Sequence, residues 1–500
     1  MVSADPRPSP TAEPSPSRPG AAVVRNLGRA VLHAGASVRR ILWSVWPFLL
    51  AGLAIRFILA PITLNEDLVV FSQASLSMLY GGGPYSSPSV YPPLWLLYLN
   101  VIGHITSVFV PGPGWLTTNN ALTALYYRTN EITPEYAVNI VFVLFLKGSL
   151  FLWDIATGVL IYVLAVRVTG RADVGPKAFA LWFLNPLTIV VSSVHGTFDV
   201  IPTFFVLLAL LFALERQALF SGLSTATGIL FKLYPGVLIP LLLVILWRAV
   251  PGASRRVRLR ATGWFLLGVG ILPAIVFLPP GLLEQFLTLS TVGPRGAQQN
   301  YGGWGYWGFF SIPQSQPVRA ALHAFALLDV IVLGTVAVVL VCAVAFLYWH
   351  RTAGNRRTSD LWIPAASLSL MASFLIPTVV QPQYTLWIVP FLVLFVFFDR
   401  WGWAFYLTLS ILPALFYFTL LGGAYLMLLP LSFTYHVVPF SVYSASTLYW
   451  IHQGATLYWA LLPPFSAVLV LFTYLLLRRL NRRPTAAPTV RIEEDTHEPV

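Results

Sequence analysis

Apolar runs long enough to cross a lipid bilayer as helices recur from residue 43 to residue 477, and they leave this chain few folds to choose from. A helix needs about 20 mostly apolar residues to pass the hydrocarbon core. Runs of this kind lie at 43–61, 139–166, 178–194, 198–215, 218–233, 235–248, 261–279, 322–349, 361–378, 384–398, 402–421 and 457–477. Residues are 57% hydrophobic and only 10% charged, against about 25% charged in soluble domains. The chain therefore reads as an all-α polytopic membrane protein with about 12 transmembrane helices.

A net charge of +12 would suit nucleic acid if it were spread over a surface. Instead the arginines cluster in short loops at helix ends: Arg39 and Arg40, Arg167 and Arg171, Arg255 to Arg260, Arg351 to Arg357, and Arg478 to Arg483. That distribution is the positive-inside signature, and it sets orientation. Both termini then lie in the cytoplasm, and the long loops 62–138, 280–321 and 422–456 lie outside. Residues 91–110 are apolar enough to span. An odd number of crossings must separate residue 62 from Arg167, however, so this stretch reads as re-entrant or interfacial, with Pro92 and Pro93 at its start. Residues 1–40, rich in Pro, Ser and Ala and without a signal-peptide pattern, read as a disordered cytoplasmic tail. Residues 41–480 form the membrane domain, and 481–500 a second tail. The single cysteine, Cys342, sits in an apolar run and has no internal disulfide partner. With short basic loops inside, any active site is extracytoplasmic or within the membrane.

Carboxylates in such a chain are expensive and usually kept for a purpose. Asp67, in the acidic pair Glu66–Asp67, follows the first span at the outer boundary and opens a short segment, 68–80, with weak amphipathic character. It can cap that helix or act as a base, and both readings stand on the residues alone. Asp199, after His195-Gly196-Thr197-Phe198, starts another helix near the outer face, where capping is again the simplest role. His195 suits anion binding or proton shuttling. Lysines occur only at 147, 177 and 232. Lys232, at an outer helix end, either snorkels to the headgroups or serves as a point charge for a phosphate. Lys147 and Asp154 lie seven residues apart on nearly one helical face, where they screen each other or pair with other helices. Arg56 either snorkels outward or meets an anionic ligand, and Glu284, Arg295, Gln298 and Asn300 are candidate ligand contacts in the late outer loop. No Walker loop, dinucleotide fingerprint or His/Cys metal pattern is present.

In order and spacing these residues resemble the GT-C glycosyltransferases that use lipid-linked sugars, with the closest likeness to the catalytic subunit of GPI mannosyltransferase I and its prokaryotic relatives. Asp67-Leu-Val-Val-Phe71 resembles the family's first outer loop, and Tyr91-Pro-Pro-Leu94 its Tyr-x-Pro-Leu element. Phe151-Leu-Trp-Asp154 resembles its helix carrying an Asp. Leu184-Asn-Pro-Leu187 with Gly196 to Asp199, then Lys232-Leu-Tyr-Pro235, then Gln383-Tyr-Thr-Leu-Trp387 match further elements. The family's Asp-x-Asp reads Asn65-Glu66-Asp67 here, so one of its paired acids is replaced.

The resemblance implies a GT-C-type helical bundle with a large first extracytoplasmic loop and a sugar, mannose as the commonest donor, carried on a polyprenyl or dolichyl phosphate. It implies inverting transfer to an extracytoplasmic glycan or glycolipid; the preference for Arg over Lys and the lack of a eukaryotic targeting signal point to a prokaryotic cell membrane. Asp67 would be the catalytic base. Lys232, Arg56 and His195 would hold the donor phosphate, and Asp199, Tyr91, Tyr234, Asn300, Gln383 and Tyr384 would contact substrate. No metal or cofactor is required by this reading. Two other classes remain on the sequence: a secondary transporter, whose ionisable groups usually sit at the midplane within repeats, and a non-catalytic subunit of a glycan-assembly complex.

Overall fold

The computed structural model describes residues 19–63, 66–86, 91–112, 116–118, 136–248, 254–288, 306, 316–352, 360–375, 381–419 and 440–481. The chain divides at Pro47 into two compact units, Met1–Trp46 and Pro47–Val500. Helical backbone begins at Pro19, inside the segment expected to be a tail, and runs on as α1 (Pro19–Leu59). The second unit holds the whole candidate site.

Helix ends follow local chemistry. Pro61 closes α1 through a 3₁₀ turn, Ala60–Ile62. Next come α2 (Glu66–Leu79) and α3 (Pro93–Phe109), the latter with Pro92 extended and Pro93 in its first turn, as the sequence predicts. Two three-residue strands, β1 (Leu116–Thr118) and β2 (Tyr136–Val138), pair antiparallel and are the sheet structure among the described residues. Helix α4 (Ile140–Thr169) starts where Asn139 accepts a 2.9 Å bond from Val141 N–H, and it stops at Gly170, whose φ of 69° an L-residue disfavours. Asn185 ends the run of α5 (Val174–Phe183) and caps α6 (Pro186–Ile189), accepting from Leu187 and Thr188 N–H. From α6 the chain widens into a π-helical turn, Val190–His195, which ends on Gly196.

The remaining helices are α7 (Val200–Leu214), α8 (Ala218–Phe231), α9 (Ile239–Arg248), α10 (Arg255–Val276), α11 (Gln316–Thr352), α12 (Trp362–Ala372), α13 (Val389–Val396), α14 (Gly402–Thr419) and α15 (Phe440–Asn481). The last begins within the stretch expected to be the outer loop 422–456.

Among the described residues, five helices are long and apolar enough to cross a membrane: Arg39–Ile62, Ile140–Thr169, Arg255–Val276, Val332–Thr352 and Leu461–Asn481. A sixth arises if α5 and α6 with its π turn, bent by 47°, count as one span. The other expected spans are shorter helices. The stretch 384–398 is not one helix: it is a 3₁₀ turn, Pro382–Trp387, followed by the eight-residue α13. Broken backbone of this sort is tolerated at membrane depth where protein covers it, and α13 is buried throughout. Two of the long helices, α10 and α11, instead carry many apolar side chains outward. On α10 Leu266, Leu267, Ile271 and Ile275 are exposed, and on α11 Val338, Val339 and Phe346. Faces this apolar suit lipid rather than water.

Close helix contact comes from glycine. A Cβ on Gly222 of α8 would lie 2.2 Å from the Phe265 carbonyl oxygen of α10, and one on Gly268 would lie 2.5 Å from the Leu219 oxygen. Small residues let helix backbones approach in this way. Gly222→Leu should force α8 and α10 apart and destabilise the protein by about 1–3 kcal/mol, as overpacking does. Thermal unfolding in detergent measures this, with Gly263→Leu as the control, because a Cβ there meets nothing within 4 Å.

Candidate functional site

The carboxylate of Asp67 leaves α2 on its first turn and meets a histidine: His195 Nε2 lies 2.7 Å from Asp67 Oδ2. The Asp67 side chain is 32% exposed and that of His195 only 9%, so the acid is the accessible member of the pair. Gly196 allows the approach. Its φ is 77°, and a Cβ there would stand 3.0 Å from Leu68 Cδ2.

Asp199 does not cap α7. Its side chain makes no cap hydrogen bond; Oδ1 instead accepts from Lys232 Nζ at 2.7 Å and from Trp387 Nε1 at 2.8 Å. Oδ2 is buried with no partner among the described residues. Lys232 sits in the extended break after α8, and its side chain is 13% exposed. Its ammonium lies 4.1 Å from the ring centre of Tyr384, with Trp387 at 5.4 Å and Phe198 at 5.5 Å. An ammonium has three N–H donors, and Asp199 takes one of them.

Aromatic rings build the walls. Trp387 is stacked between Tyr234, 3.8 Å away, and Tyr384, 4.4 Å away. Trp95 stacks on Phe198 at 3.9 Å, and Tyr91 meets Phe198 edge-on at 5.0 Å. Such pairs contribute about 0.5–1.5 kcal/mol each beyond burial and fix ring orientation. Tyr91 is pushed well above its ordinary pKa, first by burial and then by electrostatic coupling to Asp67, Tyr384 and Asp199. Asp67, Asp199, Lys232, Tyr91 and Tyr384 thus share one electrostatic neighbourhood, assembled from segments far apart in sequence.

Two of the expected site residues have protein partners in the structure. Arg56, expected at the donor phosphate, is fully buried. Its Nε bonds Asp154 Oδ2 at 2.9 Å, Nη1 bonds the Phe183 carbonyl at 2.7 Å, and the guanidinium lies 4.0 Å from the Phe183 ring centre. Nη1 also bonds the Gly52 carbonyl at 3.2 Å, while Nη2 is buried with no partner among the described residues; the ion pair Arg56 makes is with Asp154. That in turn removes the pairing of Lys147 with Asp154: Lys147 bonds backbone oxygens instead. Tyr234, expected to touch substrate, is buried behind Trp387 with its hydroxyl 2.9 Å from Thr203 Oγ1, so it supports the wall.

Gln383 is buried at the start of the 3₁₀ turn. Asn65 and Asn300, with Arg295 and Gln298, lie outside the described residues. Trp387, absent from the expected site residues, is the donor that holds Asp199. Its signal was its place four residues after Gln383 in the aromatic element. Among the described residues no group of three His, Cys, Asp or Glu side chains could hold a metal ion.

The helical bundle thus holds an accessible acid, Asp67, bonded to His195, together with the Lys232–Asp199 pair among aromatic rings. Residues 134–378 match the model of glycosyltransferase family 87. This similarity supports a membrane glycosyltransferase of GT-C-like type, and not the narrower likeness to GPI mannosyltransferase I. The matched stretch contains Asp154, His195, Asp199 and Lys232 and stops short of Gln383; Asp67 and Tyr91 precede it. No curated protein matches the chain.

Proposed function

We propose that the protein transfers a sugar, mannose in the first instance, from a polyprenyl-phosphate donor to an extracytoplasmic glycan or glycolipid, with inversion at the anomeric carbon. The observation that carries this reading is the pairing of an accessible carboxylate, Asp67, with His195 beside the Lys232–Asp199 pair. Asp67 takes the proton from the acceptor hydroxyl, whose oxygen bonds to the anomeric carbon from the face opposite the leaving group. The bond from that carbon to the phosphate oxygen breaks, and its electron pair leaves with the polyprenyl phosphate. The two Lys232 N–H groups not used by Asp199 face the developing charge. Asp199 and Trp387 keep the ammonium in place, and Tyr384 with Tyr91 offers ring faces to the sugar. The arginine-rich loops at the opposite helix ends support an outward-facing site at the cell membrane.

The purified protein should be incubated with a panel of polyprenyl-phosphate sugars and membrane lipid extracts, and products identified by mass spectrometry. A product from one donor, with an inverted linkage, is the expected result. Counterflow in proteoliposomes without product would replace this reading with transport. Lys232→Met should lower kcat about 10²–10³-fold, the scale of losing one preorganised charge-stabilising donor. Full activity in that variant would remove lysine from the phosphate.

A further inference from the structure

We propose that Lys147 is a positioning residue that sets the distance between Asp67 and His195. The inference rests on the reading of those two groups as the acid–base pair. Lys147 is fully buried on α4. Its Nζ has four acceptors within hydrogen-bond distance for its three N–H groups: Ala60 O at 3.0 Å, Thr63 O at 2.9 Å, Thr63 Oγ1 at 2.9 Å and Val194 O at 3.1 Å. These acceptors come from two places only. Ala60 and Thr63 mark the exit of α1, four residues before Asp67 in the case of Thr63; Val194 is the residue before His195. Thr63 Oγ1 also donates to Val194 O at 2.7 Å, which closes the triangle.

The geometry explains how a lysine is accommodated here. A lysine in a membrane bundle is costly without compensation, and no carboxylate pairs with it among the described residues. Its compensation is the negative end of the α1 exit, together with a carbonyl in the last residues of the π turn. The side-chain stem completes the clamp: a Cβ on Gly196 would lie 3.1 Å from Lys147 Cε, so the stem lies against the chain between His195 and Asp199. Lys147 thus bonds both segments that carry the pair, at Ala60 and Thr63 on one side and Val194 on the other. A shift of about 1 Å in reacting groups can cost about 10²-fold in rate.

The test compares Lys147→Met, Thr63→Val and His195→Gln, singly and with Lys147→Met added to His195→Gln, in the donor assay across pH. Lys147→Met should lower kcat about 10²-fold, leave the donor KM unchanged and displace the pH–rate profile. Thr63→Val should move both quantities the same way by less. In the His195→Gln background Lys147→Met should add little, because the geometry it sets is already lost. Wild-type kcat and pH profile in Lys147→Met, or an undiminished effect in the His195→Gln background, overturns the proposal. If Lys147→Met does not fold, Thr63→Val decides alone, and an unchanged profile overturns it. Asp67→Asn run alongside separates the two failures: activity there defeats the acid–base reading, whereas an inactive Asp67→Asn with a fully active Lys147→Met defeats only the positioning role.

Discussion

Asp67→Asn should abolish sugar transfer, lowering kcat by about 10²–10⁴-fold, the usual contribution of a positioned general base. The substitution keeps the shape of the side chain and a hydrogen-bonding atom facing His195 Nε2, so the local packing has no reason to change. What disappears is the capacity to take a proton. Because the side chain is 32% exposed, an amide there is not left dry and unpaired, and the folded fraction should match the parent protein. The measurement is product formation by mass spectrometry, with thermal unfolding in detergent as the control on folding. Near-normal transfer would end the base assignment. Asp67→Ala should be equally inactive, since it removes the same proton acceptor and the bond to His195.

The second large effect concerns stability. Arg56→Leu should destabilise the protein by about 3–5 kcal/mol, because it strands a carboxylate, Asp154, that is fully buried and has lost its counter-ion. The Phe183 carbonyl loses a 2.7 Å donor as well. Replacing both members, Arg56→Leu with Asp154→Leu, should recover much of that loss, since a buried pair removed whole is often close to neutral. Thermal unfolding of the two variants measures it. A contrary outcome is specific: if Arg56→Leu unfolds normally but loses donor affinity, Arg56 belongs at the phosphate after all.

The site was partly legible before any coordinates. Asp67, His195, Asp199 and Lys232 stood out because charge is rare in this chain and each falls beside a helix end. Their partners were not legible. Capping was a fair reading of Asp199, since an acid at a helix start normally accepts from backbone N–H groups. Here Lys232 and Trp387, reached from 33 and 188 residues away, take that role. Lys147 and Asp154 share a helical face, yet each found a partner on another segment, because a bundle brings α1 and the π turn against α4.

Hydropathy alone determined that the chain is a helical membrane protein, because the length of an apolar run and the thickness of a bilayer are both set locally. Glycine, proline and asparagine determined several helix ends for the same reason: φ restriction and capping act within a few residues. Only the tertiary structure decided which charges are exposed and which are locked away. Arg56 and Lys232 look alike in sequence as cations near helix ends, but Arg56 is sealed against Asp154 while Lys232 keeps donors beside the accessible Asp67. That difference depends on contacts between residues far apart in the chain, where electrostatic pairing and burial, rather than local propensity, set the outcome.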